Sequence, residues 1–142
     1  MVRILHKDVH PIIRIGVRSI LQTQIPNAII DEAGDTTSTL EKIRNNIYHL
    51  VILDVSSPGT DSFHLITNIL RIDPETKILL FSMHDEESYA KRYFQLGVKG
   101  YISKNASLNE VGDAISLVLN DSIYVNSIHF LLSYSLMNIL LS

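Results

Sequence analysis

An acid, a hydroxyl and an ammonium recur at one kind of position along this chain. Asp54 follows the apolar run Leu50-Val51-Ile52-Leu53 and precedes the turn-forming pair Pro58-Gly59, so its carboxylate falls at the mouth of a buried strand. Asp8 closes a first apolar strand, Ser82 closes Ile78-Leu79-Leu80-Phe81, and Lys104 follows Gly100-Tyr101-Ile102-Ser103. A carboxylate flanked by a second acid, a hydrogen-bond donor and a fixed positive charge is a set that can receive a phosphoryl group. Such transfer depends on in-line placement and neutralisation of charge more than on covalent assistance. Taken singly, each residue has a plainer reading. A strand-end Asp or Ser usually caps a turn, and a lone Lys is usually solvated. The joint register of the three favours the pocket.

The elements that must position them alternate from the start. A strand over Val2 to Lys7 is followed by a helix from Pro11, whose missing N–H costs little in a first turn, with Ile13, Val17, Ile20 and Leu21 on one stripe. A short strand over Ala28 to Ile30 leads to a helix capped by Asp35-Thr36-Thr37 and running to Asn46, with Leu40 and Ile43 inward. The third strand is His49 to Leu53. From Ser62 a helix carries Leu65, Ile66, Ile69 and Leu70 until Asp73-Pro74 stops it. Lys77 to Phe81 is the fourth strand, a helix runs from near Glu86 to Gly97, and Gly100 to Ile102 is the fifth strand. The last helix of the series, Ser107 to Leu119, is striped by Leu108, Val111, Ile115 and Val118. Five strands alternating with five helices predict an α/β fold with a parallel sheet covered on both faces, in which ligands collect outside the carboxyl ends of the strands. Asp8, Asp54, Ser82 and Lys104 all lie there.

Composition removes several classes of function. A chain of 142 residues, 46% hydrophobic, suffices for one core and is too short for two ordinary domains. A net charge of −3 gives no basic surface for sequence-independent nucleic-acid binding, and no direct nucleic-acid binding by this chain is expected. The absence of cysteine excludes disulfides, thiolate metal sites and cysteine nucleophiles. The opening Met1-Val2-Arg3-Ile4-Leu5-His6-Lys7 is too interrupted for a secretory segment, so a cytoplasmic location is expected. The tail carries Phe130, Leu131, Leu132, Leu136, Met137, Ile139, Leu140 and Leu141, yet it is too short and too interrupted by polar residues for a membrane span. It reads as a helix that needs a partner.

Five separated pieces now stand in order: Asp8-Val9-His10-Pro11, Leu53-Asp54-Val55-Ser56-Ser57-Pro58-Gly59, Ser82-Met83-His84-Asp85, Gly97-Val98-Lys99-Gly100-Tyr101 and Ser103-Lys104. With them the chain, over Val2 to Leu119, resembles the receiver domain of two-component response regulators, most of all those preceding a LuxR-type (NarL-like) helix-turn-helix. The resemblance implies a flavodoxin-like doubly wound five-stranded sheet of order 2-1-3-4-5 with five helices. It also implies a receiver over residues 1–122, followed by an apolar extension over 123–142, helical or the start of a linker, with the output domain not in this chain. Asp54 would accept a phosphoryl group from a sensor histidine kinase, with Lys104 and Ser82 as its clamp. Tyr101 would act as the switch toward the surface of the fourth helix, fifth strand and fifth helix. Mg²⁺ would be held by Asp8, Asp54 and the backbone carbonyl of Ser56. A homodimer is left open.

One departure stands out: receivers carry two adjacent acids after the first strand, and here Asp8 is followed by Val9. Val9 takes the position of a direct metal ligand, which implies weaker Mg²⁺ binding and opens an alternative, a pseudo-receiver that engages partners without phosphorylation. Lys7 offers a minority reading as a built-in replacement for the metal's charge. His10 and His84 read as surface histidines, and His6 as a satisfied core histidine. A flavodoxin-like electron carrier shares the fold class, but acidic Asp8 stands where a flavin phosphate would need amides and hydroxyls.

Overall fold

A computed structural model describes residues 1–55, 60–82 and 87–125. The elements follow in the order β1 (Arg3–Lys7), α1 (Pro11–Gln24), β2 (Ile29–Ala33), α2 (Thr36–Asn45), β3 (Leu50–Val55), α3 (Thr60–Ile72), β4 (Lys77–Ser82), α4 (Glu87–Leu96), β5 (Gly100–Ser103), α5 (Leu108–Leu119) and β6 (Tyr124–Val125). The strands form one sheet of order β2-β1-β3-β4-β5-β6, parallel throughout. The predicted order 2-1-3-4-5 is therefore observed, with a two-residue strand added at the edge. The apolar extension expected over 123–142 opens instead with the strand β6, and its residues 126–142 lie outside the described residues, as do Ser56, Ser57, Pro58, Gly59 and His84. Among the described residues no helix is long and apolar enough to cross a membrane.

Every residue of β3 is buried, because side chains alternate between two covered faces. Leu50 and Ile52 join Ile4, Leu79, Phe81 and Ile102 against Val17 and Leu21 of α1 and Val111, Ile115 and Val118 of α5. Val51, Leu53 and Val55 face the other way, with Leu5, Leu80 and Tyr101, toward Ile43 of α2, Ile66 and Ile69 of α3 and Tyr93 of α4. Burying side chains of this size contributes roughly 1.5–3 kcal/mol each. Gly100 leaves room for the side chains packed over it: a Cβ there would stand 2.5 Å from Leu79 Cδ1 of β4 and 3.0 Å from Val118 Cγ2 of α5. Gly97, at φ +113°, ends α4 in a conformation that L side chains rarely adopt.

Local signals set several boundaries. Asp35 caps α2 by accepting a hydrogen bond from the Ser38 N–H at 2.7 Å. Ser107 and Glu110 close a capping box at α5. Three expectations are corrected. β2 runs through Asp31-Glu32-Ala33, acidic residues that read as a loop. Asp31 accepts from Arg3 Nε at 3.0 Å and Tyr48 Oη at 2.7 Å, and Glu32 pairs with Arg18 at 3.3 Å, which an edge strand can accommodate. β3 and β4 extend through Val55 and Ser82, which pair in register, so Asp54 and Ser82 sit inside strands. Leu108 is 72% exposed because the first turn of α5 lies beside Ser19, Ile20, Thr23 and Gln24 of α1, off the sheet.

Candidate functional site: an acidic pocket at the strand ends

The sheet order puts β1 between β2 and β3, and β3 between β1 and β4, so the ends of β1 and β3 are neighbours. Asp8 comes directly after β1, where its N–H donates to the Ala33 carbonyl at 3.0 Å and the Asp8 carbonyl accepts from Arg14 Nη1 at 2.8 Å. β5 then delivers Lys104, whose N–H donates to the Ser82 carbonyl at 2.8 Å. These backbone bonds tie the ends of β1 and β5 to their neighbours β2 and β4, and the side chains of Asp8, Asp54 and Lys104 converge on one spot.

Lys104 Nζ pairs with Asp54 Oδ1 and lies 3.2 Å from Asp8 Oδ2; the ammonium and both carboxylates are almost wholly removed from solvent. Two buried carboxylates sharing one ammonium leave negative charge uncompensated. Asp54 Oδ2 has no hydrogen-bond partner, and Asp54 lines a cavity of about 170 Å³ together with Lys7, Thr36, Asp61 and Ser62. A buried carboxylate oxygen without a partner costs free energy, so its retention points to a ligand-facing group.

Asp8 has further support. Its Oδ1 accepts from the His10 N–H at 2.8 Å and from His10 Nδ1 at 2.7 Å. Burial pushes the Asp8 carboxyl up, but these two hydrogen bonds and the Lys104 ammonium outweigh it and hold the group below the usual carboxylate range. Asp8 is therefore ionised at neutral pH. His6, inside β1, is 1% exposed, and neither ring nitrogen has a partner; burial pushes it down to about 4 against the attraction of Asp8 and Glu32. It is a core histidine, though not a satisfied one, and it is neutral at pH 7.

The structure thus brings together Asp8, Asp54 and Lys104. Ser82 is fully buried at the end of β4, adjacent in register to Val55. Tyr101 is fully buried in β5, with its ring 5.9 Å from that of Tyr93, whose hydroxyl is 2.7 Å from Ser62 Oγ. Val9 is 52% exposed and borders an open depression with His10, Pro11, Ile12, Ile13 and Lys104. Lys7 lines the Asp54 cavity, and no ion pair joins it to Asp8 or Asp54 within 4 Å.

His10 is the residue that sequence reasoning undervalued. Its ring is half exposed, yet it donates into the pocket, and Asp8, His10 and Asp54 each offer a ligating atom within 4.8 Å of the others. The signal was present as Asp-x-His at a strand end, where the carboxylate turns back on the second amide that follows. A buried acid with an unpartnered oxygen, a second acid and a donor nitrogen form a set that fits a divalent cation.

Comparisons with known proteins identify the family and the fold. The family model described as response regulator receiver domain matches residues 4–116. The "Fimbriae Z protein" of Salmonella typhimurium is 34% identical over 113 residues, covering 80% of this chain and 54% of that protein. "Response regulator GacA" of Pseudomonas protegens is 29% identical over 126 residues, covering 89% and 59%. The chain spans a little over half the length of these curated relatives. Among solved structures, a LuxR-family two-component response regulator from Aurantimonas superposes with a TM-score of 0.82 at 26% identity, covering 96% of this chain and 97% of that one. The isolated REC domain of RcsB from Salmonella enterica, in its apo form, matches in fold with a TM-score of 0.80 at 22% identity over the whole of both chains. The matched span runs from Ile4 in β1 through most of α5 and contains Asp8, Asp54, Ser82, Tyr101 and Lys104, and by it the chain belongs to the response regulator receiver domain family.

Proposed function

We propose that this receiver domain accepts a phosphoryl group on Asp54 from the phosphohistidine of a sensor histidine kinase in two-component signalling. The observation that carries the reading is the state of the Asp54 carboxylate: one oxygen is held by Lys104, the other is buried and unpartnered, and the residue lines a cavity. In the transfer, an Asp54 oxygen bonds to phosphorus as the P–N bond to the donor imidazole breaks. The bonding pair leaves on that nitrogen, which takes a proton from solvent. The ammonium of Lys104 moves from a carboxylate it already touches to the new acyl phosphate, so the compensating charge is in place beforehand. The Ser82 hydroxyl is proposed to donate to a phosphoryl oxygen, and Tyr101 to report the change by repacking against Tyr93.

Asp8, Asp54 and, by family resemblance, the Ser56 carbonyl would hold Mg²⁺, which supplies positive charge against the phosphoryl oxygens. Only two of these ligands are carboxylates, since Val9 contributes none. A phosphorylation-independent interaction module, the reading Val9 invites, is less well supported because the Asp54 and Lys104 pair is retained. Control of transcription through a further domain, and residence in the cytoplasm, belong to the same proposal.

The test uses phosphoramidate, whose P–N bond imitates phosphohistidine, followed by borohydride trapping and peptide mass mapping. A single trapped site at Asp54 is expected. Trapping at another acid, or a trapped adduct that persists in Asp54→Asn, overturns the assignment.

A further inference from the structure

The acidic pocket has a composition suited to a different ion from the one that two adjacent acids would favour. With Val9 uncharged and half exposed, the buried charges are two carboxylates and one ammonium, leaving a net charge of −1. That is little attraction for a hard, strongly hydrated cation such as Mg²⁺, which binds through oxygen and gives up water reluctantly. What the pocket has instead is an imidazole. His10 Nδ1 lies 2.7 Å from Asp8 Oδ1, and ligating atoms of Asp8, His10 and Asp54 fall within 4.8 Å of one another. Small side-chain rotations bring such atoms onto one ion at the roughly 2.0–2.2 Å distances that nitrogen and carboxylate ligands use. Asp54 Oδ2 is buried with no partner, a donor already waiting. The His10 ring is half exposed, which gives an ion a path in from solvent.

We propose that Asp8, His10 and Asp54 form a mixed carboxylate and imidazole site that takes a first-row transition-metal dication in preference to Mg²⁺. Nitrogen ligation raises affinity along the series from Mn²⁺ to Ni²⁺ and does little for Mg²⁺. An ion there would need the Nδ1 lone pair, so His10 would hold it as the tautomer with its proton on Nε2, the ion standing where the Nδ1 hydrogen bonds Asp8. Lys104, on the other carboxylate oxygens, keeps its contacts with Asp8 Oδ2 and Asp54 Oδ1. The proposal rests on the phosphoacceptor reading for the use of the site. Ion binding itself is measured without any phosphoryl donor, so the two fail separately.

The experiment titrates the full chain with Mg²⁺, Mn²⁺ and Ni²⁺ by calorimetry and records pulsed electron spin resonance of the Mn²⁺ complex. One site is expected, with Ni²⁺ and Mn²⁺ Kd values at least about tenfold below that of Mg²⁺. The Mn²⁺ signal should carry coupling to one imidazole nitrogen. His10→Ala and the bulkier His10→Gln should each lose that coupling and weaken Ni²⁺ about tenfold or more, since loss of even an outer-shell partner commonly costs this much. Mg²⁺ binding in both variants should fall by a clearly smaller factor than Ni²⁺ binding, because oxygen ligands carry it and only the support of Asp8 is lost. Asp54→Asn should weaken every ion. Equal affinity for Mg²⁺ and Mn²⁺ overturns the proposal. Nitrogen coupling or Ni²⁺ affinity that survives both His10 variants also overturns it, by placing the ion on another histidine.

Discussion

Replacing Lys104 with methionine removes the one ammonium that Asp8 and Asp54 share while keeping much of the side chain's volume. Both carboxylates are then buried beside each other, and Asp54 loses its pairing with the Lys104 ammonium whereas Asp8 keeps the His10 N–H and ring. Breaking a buried pair by deleting one partner costs about 3–5 kcal/mol. Proton uptake sets a ceiling on that cost. Neutralising one carboxyl of ordinary pKa about 3.9 at pH 7 requires about 3.1 units at 1.36 kcal/mol each, or about 4 kcal/mol. At pH 4.5 the same escape requires only about 0.8 kcal/mol. The deficit of Lys104→Met in urea unfolding, relative to the parent, should therefore be about 3–4 kcal/mol at pH 7 and shrink toward about 1 kcal/mol at pH 4.5. Adding Asp54→Asn should restore most of the loss at pH 7. A deficit that is the same at both pH values, or below about 1 kcal/mol at pH 7, would refute the shared-ammonium argument.

Other consequences can be checked on the same protein. The Asp8 carboxyl is held below its ordinary value of 3.8, so it contributes stability above that pH which is lost as pH falls through the lower folded value; the parent's acid unfolding, followed by circular dichroism, should steepen only below about pH 4. Val9→Asp adds a third acid at a half-exposed position and should tighten Mg²⁺ by about tenfold or more in calorimetry, while leaving thermal stability little changed. Ile66→Ala, at a fully buried site, should lose about 2–5 kcal/mol in urea unfolding, whereas Leu108→Ala should lose less than about 1 kcal/mol. Ser107→Ala removes the α5 cap and should cost about 1 kcal/mol by the same measurement.

The alternation of elements, the parallel sheet and its order were legible because the central strands β3 and β4 carry unbroken apolar runs and the helices have a capping residue or a breaker beside them. Asp8, Asp54 and Lys104 were legible for the related reason that strand ends in such a sheet are where ligand groups collect. The misses have one physical source: polarity read along the chain does not reveal a partner across it. Asp31 and Glu32 looked like loop until Arg3, Tyr48 and Arg18 were brought beside them. His10 looked like surface because half of it is, while its Nδ1 reaches a buried acid. Leu108 matched the helical period of Val111 and Ile115, but periodicity does not say where a helix overhangs its sheet.

The central claim is that Asp54 accepts the phosphoryl group with Lys104 as its standing counter-charge. Intact mass after incubation with acetyl phosphate and a divalent cation tests it most directly, run on the parent chain, Asp54→Asn and Lys104→Met in parallel. The account predicts one added phosphoryl group on the parent, none on Asp54→Asn, and little or none on Lys104→Met. An unchanged mass gain in Asp54→Asn would contradict it.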